Sequence, residues 1–582
     1  METIGWKVGG DQGEGIDSTG DVLATVLNRL GYHVYGYKSF SSRIRGGHTH
    51  YMVRIGDRRV MAPSHACHVL VALTQETIDR NVAEVVEGGV VLADEAFGPS
   101  LPASATGVTL LVLPLTAMAR EAGGLIMRNM VAVGASAQLL GLPLKAFEDY
   151  ARDKFARKGE AVVASNVAAL RAGHEAARER APGVVFPLPP GDGRARYVMS
   201  GNQAMALGAY AAGCRIMAAY PITPATEVME YLTPLLPRRG GAVVQMEDEL
   251  ASIVLTIGAG FAGVRAMTCT SGPGLSLMQE AIGLAGMTET PTVLIDCQRA
   301  GPSTGMPTKN EQSDIEALIH GGHGEAPRIV LAPGTPEQAF SDVVLAFNLA
   351  ERYQCPVLVA SDLSLSLWPQ TVESLPVREV TIDRGERVSS EALLAMGKDV
   401  FQRYALTESG ISPRSIPGQP NGQFLATGAE HGGSGKVTED PVNRVQMMRK
   451  RFEKIRNSFD VPGIVDSGPA DAPVLLVGFG SNVGPMLEAR ELLEAQGLRA
   501  RVAQVRVLSP FPAAALAPLV AAARDVVVVE SNATGQLRRL MGENGVHGDC
   551  VRSVLKYDGT LFYPEEIVRS VLEGAGVQEV LR

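Results

Sequence analysis

Cysteine is scarce in this chain and scattered. Its 582 residues hold six, at positions 67, 214, 269, 297, 355 and 550, and no two form a C-x-x-C pair. That spacing argues against a zinc site or an iron–sulfur cluster held by this chain alone, and marks the cysteines as small buried apolar residues. Long apolar runs are missing too. The longest candidate, "IVLTIGAGFAGVRAM", contains Arg265 and many small residues, and falls short of the roughly 18 residues of a membrane span. Basic charge is not in excess: 53 Lys and Arg against 62 Asp and Glu leave a net charge of −9, which speaks against nucleic acid as a partner. The start, "METIGWKVGGDQGEG", lacks the basic residues and apolar core of a signal peptide. A cytoplasmic protein with no membrane and no nucleic-acid partner is the expectation.

What is present reads as soluble and globular, with 46% apolar and 20% charged residues. The length asks for several domains. Sixty-four glycines beside 5% aromatics suit the tight strand–loop–helix junctions of α/β folds. Residues 1–180 alternate short apolar runs with helical patterns, as in "HVLVALTQETIDRNVAEV" and "GGVVLADEA", the rhythm of a parallel sheet. A proline- and glycine-rich linker, 181–197, follows. A second α/β pattern fills 198–385, a connecting region with a charged helix runs over 386–470, and a third α/β segment, 471–582, begins "APVLLVGFGSNVGPMLEARELLEAQGL". The expected fold is α/β in three domains.

Four motifs stand at strand-to-helix junctions. "YPITP" (220–224) ends an apolar run, and Thr223 with Pro224 reads as an N-cap and first helical residue, with Glu227 in the first turn. The junction is either simply well capped or, at the carboxyl edge of a parallel sheet, an anion site offering the Thr223 hydroxyl and backbone N–H groups. "QMEDELASI" places Glu247, Asp248 and Glu249 ahead of an apolar helix. They are either a solvated first turn or working carboxylates. "TSGPG" (270–274) is a glycine turn, weak by itself. "RAGPSTGMPTK" carries Arg299, Thr304, Thr308 and Lys309 on a polar loop, where a guanidinium is either solvated or holds a carboxylate. In the N-terminal segment, "GGDQGEGIDSTG" (9–20) has the form of a phosphate loop or a structural turn, with Lys38, Arg43 and Arg45 close behind. His48 and His50 alternate as on one strand face, and His431 lies in a polar loop.

Taken in order, Y-P-I-T-P, E-D-E-x-A, T-S-G-P-G and R-x-G-P-S-T-G-x-P-T resemble the α subunit of the 2-oxoacid:ferredoxin oxidoreductases. Residues 1–180, with "GGDQGEG" and "YKSFSSRIRGGHTHY", look like the family's Rossmann-like γ-type domain fused ahead of it. Residues 198–385 look like its thiamine-diphosphate pyrimidine-binding domain, and "VLLVGFGSN", "VLSPFP" and "VVVVESNATGQL" like its transketolase-C-terminal-type domain.

The resemblance implies oxidative decarboxylation of a 2-oxoacid on thiamine diphosphate, with coenzyme A as co-substrate and ferredoxin as electron acceptor, or the reverse carboxylation. It implies that Glu249 meets the cofactor's aminopyrimidine and supports its imino tautomer, Glu249 fitting better than Glu247 by its spacing to the helix, with Ile222 also on the cofactor. It puts Thr223, Arg299 and Thr308 on the substrate carboxylate, and Gly13, Lys38, Arg43 and Arg45 near coenzyme A. Y-P-I-T-P favours the 2-oxoglutarate and broad 2-oxoacid types over the pyruvate or arylpyruvate types.

The family of thiamine enzymes holds Mg²⁺ and diphosphate on a G-D-G motif followed well downstream by Asn. Here Gly191-Asp192-Gly193 lies in the linker with Asn202 too close, and reads as a turn. The expectation is therefore a β subunit supplying Mg²⁺, the diphosphate site and a [4Fe-4S] cluster, in an α2β2 assembly, with no metal on this chain. The rival readings are a non-oxidative transketolase-like enzyme, which the missing motif and the γ-type domain oppose, and a non-catalytic nucleotide-binding regulator, in which Glu249 and Arg299 are mere surface residues.

Overall fold

A computed structural model describes residues 3–40, 46–398, 400–574 and the backbone of 578–579. The chain divides into two compact units, one of residues 1–199 with 368–374, the other of 200–367 with 375–582.

The first unit is built on an eight-stranded sheet in the order Thr109–Leu113, Val85–Asp94, Cys67–Ala72, Ile4–Asp11, His48–Gly56, His33–Ser39, Gln370–Val372, Tyr197–Met199. The sheet is mixed, which corrects the parallel expectation. Ile4–Asp11 runs parallel to Cys67–Ala72 but antiparallel to His48–Gly56, which is antiparallel to His33–Ser39. The reason is length: eight residues separate His33–Ser39 from His48–Gly56, fewer than the dozen or so that a crossover to a parallel partner needs. Trp6, Val8, Leu23, Val26, Val53, Val131 and Leu170 belong to its core. The expected G-D-G turn is found here. Asp192 Oδ1 accepts from the Arg194 N–H at 3.0 Å, its carboxylate pairs with Arg196, and Gly193 has φ +70°.

The second unit holds two sheets. The seven-stranded one is ordered Val507–Ser509, Ile329–Leu331, Pro356–Asp362, Thr292–Gln298, Ala266–Thr270, Ile216–Ala219, Ala242–Gln245. All neighbours run parallel except Val507–Ser509. Central strands such as "TVLIDCQ" are buried along their whole length, as expected of a parallel sheet covered on both faces. The six-stranded sheet is ordered Ile464–Ser467, Ala500–Val505, Val474–Gly478, Asp525–Glu530, Val551–Leu555, Gln578–Glu579. One apolar cluster runs from Leu275, Leu294 and Leu358 into Val477, Val526 and Leu537, so the two sheets share a core. No described helix is long and apolar enough to cross a membrane. Five cysteines are buried and Cys550 is half-buried.

Candidate active site

Four adjacent strands of the seven-stranded sheet, Ala242–Gln245, Ile216–Ala219, Ala266–Thr270 and Thr292–Gln298, are parallel. Each is followed by one of the four motifs: 247–249, 220–224, 271–274 and 299–308. The motifs therefore gather at one carboxyl edge of one sheet, where ligands bind in such folds.

The three acids separate at once. Glu247 is exposed. Asp248 is the N-cap of the helix Glu249–Phe261, its carboxylate accepting from the Ala251 N–H at 2.7 Å. Glu249 alone is buried, at 7% exposure, and no hydrogen bond or ion pair among the described residues engages its carboxylate. It lies against the first turn of the helix Gly272–Met287. A Cβ on Gly274 would stand 2.7 Å from both Cγ and Oε1 of Glu249 and 2.0 Å from Thr270 Oγ1. Gly272 plays the same part for a second acid, since a Cβ there would stand 2.7 and 2.9 Å from the Asp314 carboxylate oxygens. The two glycines of T-S-G-P-G are thus room for two carboxyl groups at one helix N-terminus.

Thr223 does not cap a helix, contrary to the local pattern. The Thr223–Pro224 peptide is cis, and the helix starts later, at Thr226–Leu232. The Ile222 carbonyl closes the turn instead, accepting from the N–H groups of Ala225 at 2.8 Å and Thr226 at 3.1 Å. Thr223 is half-buried, and its carbonyl accepts from Arg299 Nη1 at 2.7 Å. Glu227 is in the first turn as expected.

Arg299 is buried, and its Nε has no partner. The loop beyond it folds back on itself. Ala300 N–H donates to Lys309 O at 3.1 Å and Met306 N–H to Ala300 O at 3.0 Å, which returns Thr308 to the neighbourhood of Arg299. Gly305, at φ +53°, makes this possible, because a Cβ would collide with Ala300 O at 2.1 Å. The six-stranded sheet pins the loop. Asn310 N–H reaches Gly559 O at 3.1 Å, Gln312 N–H reaches Ser531 O at 2.6 Å, and Asn532 Nδ2 reaches Gln312 O at 3.1 Å. "ESNATGQL" is rigid in turn, with the buried Glu530 carboxylate accepting from Leu537 N–H at 2.6 Å and Arg538 N–H at 3.1 Å.

Two acids that the motifs did not single out complete the edge. Asp296, near the end of Thr292–Gln298, is fully buried with both carboxylate oxygens unpartnered, and Asp314 Oδ2 is likewise buried without a partner. Burial, reinforced by Asp314, holds the Asp296 carboxyl well above the usual range. Burial and Glu311 push Asp314 up to about 7 while Arg299 pulls it back. The Arg299 guanidinium is itself lowered by burial. A charged residue inside the apolar run "VLIDCQ" was the available signal for Asp296.

In the first unit, Gly13 is exposed at φ +99°, with open space where a Cβ would stand. It lines a cavity of about 690 Å³ together with Arg128, Tyr150, Lys154, Phe155 and Lys158. Lys38 is outside that lining; it pairs with Asp21 at 3.4 Å and lies over the Tyr51 ring at 4.8 Å. Arg43 and Arg45 lie outside the described residues. His48 and His50 open the strand His48–Gly56, their rings 5.8 Å apart. Burial lowers the His48 value, as it does that of His431. His431 is fully buried, its Nδ1 2.9 Å from Ala429 O and its ring 4.2 Å from Tyr404, which makes it part of the loop's packing rather than of the edge.

Comparison with known proteins agrees with this geometry. Residues 5–176 match the family described as pyruvate ferredoxin/flavodoxin oxidoreductase, 207–450 that described as pyruvate flavodoxin/ferredoxin oxidoreductase, thiamine diphosphate-binding, and 468–537 the transketolase C-terminal domain. The 2-oxoacid:ferredoxin oxidoreductase 2 subunit alpha of Aeropyrum pernix is 35% identical over 98% of this chain and 97% of its own length. The 2-oxoglutarate oxidoreductase subunit KorA of Mycobacterium tuberculosis is 32% identical over 99% and 92%. A solved structure, 2-oxoglutarate:ferredoxin oxidoreductase from Magnetococcus marinus with 2-oxoglutarate, coenzyme A and succinyl-CoA bound, superposes with a TM-score of 0.91 at 36% identity, covering 98% of this chain and 99% of the other. The edge motifs, the three α/β domains and near full-length relatives converge on one conclusion: the chain belongs to the alpha subunits of the 2-oxoacid:ferredoxin oxidoreductases.

Proposed function

We infer that this chain acts on 2-oxoglutarate, forming succinyl-CoA with electrons passed to ferredoxin, or running the reverse carboxylation. The observation that carries this is the presence, at one sheet edge, of the buried Glu249 carboxylate, with no partner among the described residues, and the buried Arg299 guanidinium, whose Nε is unpartnered. The first fits the ring nitrogen of thiamine diphosphate, and the second fits a carboxylate. The ligands in the Magnetococcus marinus structure support the choice of substrate.

Thiamine diphosphate supplies the electron sink for decarboxylation. Glu249, held in place by the helix that Asp248 caps, keeps a carboxyl group at the pyrimidine and so sets which tautomer is favoured; Ile222, in the junction after the adjacent strand Ile216–Ala219, contributes to the same cofactor site. Arg299 and the Thr223 and Thr308 hydroxyls hold the substrate carboxylate. The roles suit one another, because a grip on the departing carboxylate speeds the reaction only where it favours the transition state over the ground state. In the first unit, the cavity beside Gly13, with apolar walls and Arg128, Lys154 and Lys158, suits the nucleotide and phosphates of coenzyme A, with Lys38 behind Asp21 at its margin.

Lacking a G-D-G…N motif and paired cysteines, the chain works with a β subunit that brings Mg²⁺, the diphosphate site and a [4Fe-4S] cluster, as two αβ pairs in the cytoplasm. The test is co-expression with that subunit and a screen of 2-oxoacids with coenzyme A and a viologen dye. 2-Oxoglutarate is expected to give the highest kcat/KM. Glu249→Gln is expected to lower kcat by roughly 10²-fold or more. A fully active Glu249→Gln complex would instead support the non-catalytic reading.

A further inference from the structure

Asp314 precedes the helix Ile315–His320 in the N-cap position, yet its side chain makes no capping bond. Its backbone N–H is held by Gln298 Oε1 at 3.0 Å, which fixes the residue beside the root of Arg299. Its carboxyl group is pressed against Gly272, and Oδ2 has no partner. Arg299 spends one bond on the Thr223 carbonyl and keeps Nε free of any acceptor. A buried carboxylate oxygen without a donor and a buried guanidinium with no ion pair among the described residues are both costly unless something else uses them.

We propose that Asp314 is a positioning residue that sets how strongly Arg299 holds the substrate carboxylate. With Asp314 protonated, the guanidinium has no counter-charge and takes the 2-oxoacid tightly. With Asp314 ionised, its charge offsets that of Arg299 and the grip loosens. This rests on the assignment of Arg299 to the substrate.

The groups facing Asp314 agree. Asp296, on the strand Thr292–Gln298, has its own carboxyl pushed well above the usual range by burial and by Asp314, while Glu311 approaches from the loop and disfavours a second negative charge. Arg299 and the N-terminal end of the helix Gly272–Met287 favour it. Glu316, two residues further along, is occupied by Arg539 of the helix Gln536–Glu543 at 2.8 Å. Burial adds to the repulsion, so the proton leaves near neutrality.

The experiment uses the complete complex with its partner subunit and measures KM and kcat for 2-oxoglutarate from pH 5.5 to 8.5. In the unaltered enzyme KM is expected to rise roughly tenfold across neutrality, with a smaller change in kcat. Asp314→Asn is expected to flatten that rise and keep KM low at pH 8.5. Glu311→Gln, which removes the like charge, is expected to move the rise to lower pH. An Asp314→Asn complex whose KM still climbs with pH as the unaltered enzyme's does would overturn the proposal, as would a Glu311→Gln complex with an unmoved profile should Asp314→Asn fail to fold. Arg299→Gln separates the two levels. Unchanged KM there removes Arg299 from the substrate, while a large rise in KM with a persistent pH profile in Asp314→Asn removes Asp314 alone.

Discussion

The helix Gly272–Met287 has buried acids at both ends, and they are treated in opposite ways. Beyond its C-terminus, Glu289 is fully buried and accepts from Lys450 Nζ at 2.5 Å and Lys454 Nζ at 3.1 Å, while Arg403 Nη2 donates to its backbone carbonyl at 2.7 Å. These cations hold its carboxyl well below the usual range despite its burial. At the N-terminal end, Glu249 engages no partner among the described residues, Asp314 has one unpartnered oxygen, and Asp296 has two. Identical chemistry is saturated at one end and open at the other. Buried polar groups are normally satisfied; the closed end fixes a tertiary contact, and the open end is where the proposed function puts its ligands.

The comparison breaks most visibly at the closed end. Glu289→Gln strands Lys450 and Lys454 without a carboxylate, and a loss of about 3–5 kcal/mol in unfolding free energy by denaturant titration is expected, with KM for the oxoacid unchanged in whatever complex still assembles. Stability within 1 kcal/mol of the unaltered chain would mean that the ion cluster is not what holds the helix Pro441–Arg456. At the open end Gly274→Ala puts a methyl group 2.0 Å from Thr270 Oγ1 and 2.7 Å from Glu249. The expected cost is about 1–3 kcal/mol, together with a fall in kcat because Glu249 must shift. A variant with native turnover would show that the carboxylate's seat is not critical.

Asp314 sharpens the contrast through pH. Its folded value is raised from 3.8 to about 7, so between those limits the folded chain holds a proton that the unfolded chain has lost. The carboxyl group's stabilising contribution is therefore present in full below about pH 4 and is lost as pH rises towards 7. Asp314→Asn is expected to match the unaltered chain in stability near pH 4 and to exceed it by on the order of 1 kcal/mol at pH 8. Equal stability at both would contradict this. The smallest effect is expected at Lys38. Already paired with Asp21 at 3.4 Å, it is expected to raise the KM for coenzyme A only a few-fold when changed to alanine, and an unchanged KM would take it out of that role.

How much of this lay open in the sequence follows from where each interaction reaches. Each edge motif was legible as a contiguous junction whose residue types state their backbone needs, but it was their order, through the resemblance to the α subunits, that put Glu249 ahead of Glu247. What the pattern of T-S-G-P-G did not disclose is why its glycines are there, since the carboxyls they accommodate come from 25 and 42 residues away. Neither Asp314 nor Asp296 was singled out, because the groups that face them come from other elements. Glu289 and Lys450 meet across 161 positions, and no local period records that. Thr223 misled for a definite reason: a threonine before proline at the start of an apolar helix has every local mark of a cap, while the Ile222 carbonyl takes over the first turn. The strand Gln370–Val372 was hidden in the same way, its partners at Tyr35 and Met199 being visible only once the first sheet is assembled.

The central claim is that this chain carries one half of a thiamine diphosphate pocket and leaves metal and diphosphate to another chain. Calorimetric titration of thiamine diphosphate with Mg²⁺ into the isolated full-length chain, beside the same titration into the complex with its β subunit, tests it directly. Stoichiometric tight binding is expected for the complex alone, weakened by Glu249→Gln. Equally tight binding by the isolated chain would contradict the account.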